Sequence, residues 1–150
     1  MVPLVVMVVA WVGLRSIGAA GHVTVFDSWT QALRYALVTM FVFTAASHFI
    51  PRTRNDLIRM VPPALPRPGL LVTVTGVLEA AGAFGLLLSG VVRVAAYALI
   101  ALLVAMFPAN LHAARAQVLI AGRPATPLIV RVPLQLFWIG ALWWVAHQGT

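Results

Sequence analysis

Three features of this 150-residue chain point to an all-α membrane protein: a four-helix transmembrane bundle with one additional hydrophobic helix at the N-terminal end. Hydrophobic residues make up 62% of the chain and charged residues only 9%, and the mean hydropathy is +1.00. A soluble domain of this size needs more polar surface than that. The apolar residues gather into five runs, 3–21, 30–50, 69–88, 92–120 and 127–147, each near the roughly 20 residues a helix needs to cross a bilayer core. The ten basic residues, all Arg, mostly sit between the runs. There they orient a membrane protein and meet anionic head groups, instead of forming a basic face for nucleic acid.

The first run is interrupted by Arg15, which must snorkel to an interface or find a partner, so this run either spans or lies peripherally. It lacks a charged start and a small-residue cleavage site, which argues against a cleaved signal peptide. A link with His22 and Asp27 follows, and Trp29 is placed to anchor the second helix at an interface. The second run closes at Ser47-His48-Phe49-Ile50-Pro51, where Pro51 cannot continue the hydrogen-bond ladder. Beyond it, Asn55 is a plausible cap for a short interfacial helix with Leu57, Ile58 and Val61 on one side and Arg59 on the other. Pro62, Pro63, Pro66 and Pro68 then predict a stiff, polyproline-like strap. In the third run, Thr75, Gly76, Glu79, Gly82 and Ala83 share one face, a small-residue stripe suited to close packing in a bundle. Pro108 interrupts the fourth run and Pro133 the fifth, each predicted to kink its helix and free a carbonyl, that of Val104 and that of Ile129. Trp143 and Trp144 close the fifth run as an aromatic belt.

The domain organisation is a single membrane domain: residues 1–29 form the extra helix and its link, and 30–147 form the bundle. Arg52, Arg54, Arg59, Arg67, Arg115, Arg123 and Arg131 lie on one side of it and Arg15, Arg34 and Arg93 on the other. The richer side, which holds the links after helices two and four, is expected to be cytoplasmic, with the C-terminus outside.

Glu79 is the one acid inside an apolar run, and an ionisable group at membrane depth is a candidate functional group. At about 1.5 Å per residue, Glu79 and Asn110 lie roughly 15 Å from the cytoplasmic end and Gln135 roughly 12 Å. His112 and Arg131 come out at roughly 12 and 6 Å, and His48 within about one turn of its helix end. Glu79, Asn110 and Gln135 therefore form a candidate layer, with Arg131 reaching inward towards Glu79 and His48 and His112 as flanking groups. The layer either binds a ligand or a proton, or only fixes helix register. With no Cys in the chain, thiol chemistry and thiolate metal ligation are excluded, and one Glu with scattered His makes a weak metal site, so no metal is expected. A phosphate-binding glycine loop and a Ser-His-Asp set are likewise missing from the sequence.

The His48-Phe49 helix end, the link from Asp56 through Arg59 to Pro62-Pro63, Gly76-Val77-Leu78-Glu79-Ala80-Ala81-Gly82, Phe107-Pro108-Ala109-Asn110 and Arg131-Val132-Pro133-Leu134-Gln135, taken in order, resemble the DoxX-like family of small bacterial membrane proteins. The resemblance covers about residues 35–145. It implies a four-helix membrane bundle in the inner membrane, polar positions at His48, Arg59, Glu79, Asn110, Arg131 and Gln135, and association with a membrane redox complex. The function expected on this basis is a membrane subunit of a quinone-linked redox system, with an oxidoreductase partner and a possible quinone ligand, more an accessory than an enzyme alone. The alternative is a non-catalytic scaffold or assembly protein. A small-solute transporter fits less well, since five spans with little internal symmetry would need a homo-oligomer to form alternating halves.

Overall fold

The computed structural model of the protein describes residues 2–21, 23–120 and 122–148; His22 lies outside them. Its helices are α1 (Val2–Ala19), α2 (Trp29–Ser47), α3 (Pro51–Met60), α4 (Pro68–Leu87), α5 (Val92–Ala105), α6 (Phe107–Arg115) and α7 (Leu128–Gln148). Between α6 and α7, β1 (Leu119–Ile120) pairs antiparallel with β2 (Arg123–Pro124), Leu119 opposite Pro124. α1, α4, α7 and the stretch Ser89–Arg115 are each long and apolar enough to cross a membrane, and α2 with α3 would add a fifth span if counted together. The chain has the make-up of an all-α, multi-pass membrane protein.

The apolar faces decide how these helices meet. α2 packs against α1, α4 and α7, α4 also packs on α5, and α5 on α7. Leu37, Met40 and Phe41 of α2 meet Leu86 of α4, Leu99 of α5 and Leu142 and Val145 of α7 in one buried cluster, with Met7 of α1 reaching its edge. On α4 the expected small-residue face is the buried one, carrying Gly76, Glu79, Gly82 and Ala83. Gly82 is where α5 comes closest: a Cβ there would stand 2.5 Å from Leu99 Cδ2.

Three arginines fasten helix ends. The last carbonyls of a helix have no intrahelical donor, and a cation there also meets the negative end of the helix dipole. Arg34, buried in α2, donates through Nε to the Leu86 carbonyl at the end of α4. Arg93 Nε donates to the Ala146 carbonyl of α7 at 3.3 Å. At the end of α2, Arg54 Nη1 donates to the His48 carbonyl at 3.1 Å while its Nη2 donates to the Gly69 carbonyl at 2.9 Å, tying the start of α4 to the same corner.

That corner is sharper than the apolar run suggests. α2 ends at Ser47 and α3 leaves at 89° to it. Pro51 is the first residue of α3, where its missing N–H costs nothing, and Ile50 holds the cap position that Asn55 was expected to hold. Thr53 Oγ1 donates to the Ser47 carbonyl at 2.6 Å and completes the turn. The proline segment is also not a stiff strap: the Leu65 N–H donates to the Pro62 carbonyl at 2.9 Å, and the chain folds back in a turn before α4 begins at Pro68. α3 lies across the end of the helices, with Leu57 and Met60 against Ala113, Val118, Ile120 and Ala125. The fourth apolar run breaks at Met106, two residues before Pro108, and it ends in the hairpin instead of continuing as helix to residue 120. Trp29, Trp143 and Trp144 stand exposed together at the opposite end, with Trp144 Nε1 donating to Thr30 Oγ1 at 3.2 Å.

The close approach at Gly82 makes a direct test. Gly82→Val should lower the melting temperature in detergent by several degrees, since forced overpacking costs about 1–3 kcal/mol. Gly140→Ala, where a Cβ would meet nothing within 4 Å, should leave it unchanged or slightly raised; equal melting of the two variants would count against this packing.

Candidate functional site

The group closest to Glu79 is His48. The α2 corner turns the imidazole inward beneath α4, and both side chains are almost fully buried, with His48 Nε2 3.6 Å from Glu79 Oε2. His48 fits there because position 76 has no side chain: a Cβ on Gly76 would lie 2.5 Å from the His48 Cβ. Gly76 and His48 are thus a matched hole and knob, and the stripe of small residues on α4 serves the histidine as much as the neighbouring helices.

The backbone fixes the tautomer. His48 Nδ1 lies 2.8 Å from the Val72 carbonyl, which can only accept, so Nδ1 carries the proton. Thr75 supports this edge of the ring, its hydroxyl 3.3 Å from Nδ1 and donating to the Leu71 carbonyl at 3.0 Å. Nε2 is then left with a lone pair pointing at a carboxyl oxygen. Two lone pairs facing each other in a buried position repel, so the contact favours one proton on the pair, either on the carboxyl or on the imidazole. Glu79 Oε2 has no hydrogen-bond partner among the described residues, and the nearby Thr44 hydroxyl donates to the Phe41 carbonyl at 3.1 Å. The arrangement can take up a proton, release one, or offer the free oxygen to a polar ligand.

The expected companions of Glu79 are distributed elsewhere. Arg131 does not reach it: Nη1 donates to Asn110 Oδ1 at 2.6 Å and Nε to the Thr126 carbonyl at 3.3 Å, joining α6 to the start of α7. Gln135 is buried and donates through Nε2 to the Leu103 carbonyl at 3.0 Å, next to the Val104 carbonyl that Pro108 leaves without its usual donor; its own Oε1 has no partner among the described residues. Pro133 lies inside α7, which continues through it. His112 Nδ1 donates to the Met60 carbonyl at 3.1 Å and so pins α3 to α6. Arg59 extends into solvent and pairs with Asp56 Oδ1 at 2.7 Å, while Pro62 and Pro63 form the turn that follows. The single layer expected from depth is therefore three separate contacts: His48–Glu79, Asn110–Arg131 and Gln135 with Leu103. Depth along straight helices misplaces His48, because the chain bends by 89° just beyond it. Among the described residues no group of three or more His, Cys, Asp or Glu converges as metal ligands.

Thr75 and the Val72 carbonyl complete the site: Thr75 lies on the small-residue face that the sequence pattern marks, whereas the Val72 carbonyl, a backbone group, left no mark in it. Thr75 precedes Glu79 by four residues and so shares its face of α4, one helical turn earlier, where its hydroxyl meets His48.

The chain belongs to the family described as a domain of unknown function, DUF8561, which matches residues 37–146 and so takes in the whole site. No curated protein and no solved structure gives a significant match.

Replacing Asn110 by Leu removes the one side-chain acceptor of Arg131 among the described residues, in a half-buried position. Thermal unfolding of Asn110→Leu should show a loss of about 1–3 kcal/mol, with Asn110→Asp restoring much of it through an ion pair. A wild-type melting curve for Asn110→Leu would contradict the contact.

Proposed function

We propose that this protein is a multi-pass subunit of the inner membrane in which the His48–Glu79 pair exchanges a proton with a polar ligand, and that the ligand is the head group of a quinone serving a partner oxidoreductase. The observation that carries the reading is the buried carboxyl oxygen with no hydrogen-bond partner among the described residues, 3.6 Å from an imidazole whose other nitrogen is already committed. In this reading α2, α4, α5 with α6, and α7 form a four-helix membrane bundle with α1 on its outside. The seven-arginine side faces the cytoplasm and the C-terminus lies outside. The resemblance to the DoxX-like family supports the redox association.

The donor set suits such a head group. A protonated Glu79 donates to a quinone carbonyl, and a neutral imidazole accepts from a quinol hydroxyl. A bound quinol would supply two electrons to the partner and two protons on becoming quinone, one proton passing through the His48–Glu79 pair and the other to solvent. A bound quinone would take up the same electrons and protons in the reverse direction. His48 holds or releases the proton at Nε2, Val72 and Thr75 keep the ring oriented, and Gly76 gives it room. A ligand approaches along the seam between α2 and α4, where Thr44 and Thr75 are only half-buried.

A second reading, a non-catalytic scaffold, is favoured by the internal pairing of Asn110 with Arg131 and of Gln135 with Leu103, contacts that fix helix register without any ligand. Titration of the purified chain with decylubiquinone, followed by quenching of tryptophan fluorescence, separates the two. The redox reading expects saturable binding in the wild type, weakened about tenfold or more in Glu79→Leu, as loss of a hydrogen bond to an ionisable group implies. Absent or unchanged binding, with Glu79→Leu only melting earlier, leaves the scaffold reading.

A further inference from the structure

Where α6 ends, a groove of about 530 Å3 opens between that helix and the proline turn, lined by Pro62, Pro108, Leu111, His112, Arg115 and Ala116. We infer that this groove binds an anionic phospholipid, its phosphate at Arg115 and the upper part of an acyl chain along Leu111 and Pro108. The inference rests on placement of the chain in a membrane and is independent of the redox reading.

The order of residues along α6 carries the argument. At a rise of about 1.5 Å per residue, Leu111 lies roughly 6 Å and Pro108 roughly 10 Å further into the bundle than Arg115. The groove thus runs from an exposed cation at its mouth to an apolar floor, the same polarity order as a lipid entering from phosphate to acyl chain. A free guanidinium matches the phosphate bidentately, where an amide or hydroxyl would not. Arg115 is exposed and has no carboxylate partner among the described residues: Asp56 is engaged by Arg59, Glu79 faces His48, and Asp27 lies at the opposite end of α2. His112, whose Nδ1 is spent on the Met60 carbonyl, keeps Nε2 for a head-group hydroxyl. Charge complementarity decides the kind of lipid. The chain carries a formal charge of +7, and Arg52, Arg59 and Arg67 stand exposed near the same end, so an acidic head group is drawn here and a zwitterionic one is not. The groove is also built of fixed parts, since its two prolines cannot adapt their backbone and the Met60–His112 contact holds its two walls together.

The test is native mass spectrometry of the full chain released from micelles doped with phosphatidylglycerol or with phosphatidylcholine. The wild type should retain phosphatidylglycerol preferentially. Arg115→Gln should lower that retention about fivefold, the effect of one cation at a membrane surface, and Leu111→Trp, which fills the floor while keeping the charge, should lower it as well. Arg67→Gln, an exposed arginine at the same end but outside the groove, should retain lipid like the wild type. Circular dichroism of each variant establishes that it is folded, and Leu111→Trp stands in if Arg115→Gln is not. Equal retention of the two lipids overturns the proposal, and so does an equal loss in Arg67→Gln, which would mean diffuse attraction to the arginine-rich end.

Discussion

His48 Nε2 lies 3.6 Å from Glu79 Oε2 inside the protein, and much of the local backbone is arranged to permit that contact. The histidine is the residue that caps α2, and it faces inward where the helix stops at Ser47 and the chain turns through 89° into α3. Ending a helix inside an apolar environment strands carbonyl groups, and each one left bare would cost several kcal/mol. Thr53 and Arg54 cover the Ser47 and His48 carbonyls, and Arg54 extends to Gly69 so that the entry of α4 is held by the same side chain. Gly76 then supplies the space the ring occupies. The corner, the arginine and the glycine form one device whose product is a buried carboxyl held 3.6 Å from an imidazole.

The arginines also have a structural use that a count by side does not show. Counting them by side gives a topology, but three of them, Arg34, Arg54 and Arg93, also end on carbonyls near helix C-termini. Arginine suits this role because its planar fork stays charged and can bridge two acceptors at once, whereas lysine would lose its charge more readily on burial. A chain whose ten basic residues are all Arg is consistent with that use.

Much of this was legible in the residues. The apolar runs located the helices, the small-residue face of α4 was the buried one, and Glu79 stood out as the one acid within a run. The partners of Glu79 were not legible, for a geometric reason. Depth counted along straight helices places Asn110 and Gln135 beside it, yet equal depth says nothing about which faces meet. Asn110 turns to Arg131 on α7, and Gln135 to the broken joint between α5 and α6. The sequence marks Pro51 as a stop but does not say that the next helix begins on that same residue. The hairpin of β1 and β2 was missed for a similar reason, since Val118, Leu119 and Ile120 read equally well as the end of an apolar helix.

The most direct test of the shared proton is 15N NMR of histidine-labelled protein in bilayers, with the His48 signals assigned by their loss in His48→Gln. The account predicts a protonated Nδ1 in the wild type and an Nε2 resonance that shifts in Glu79→Leu, while the signals of His112 stay in place. An unprotonated Nδ1, or an Nε2 resonance indifferent to the loss of Glu79, would contradict it.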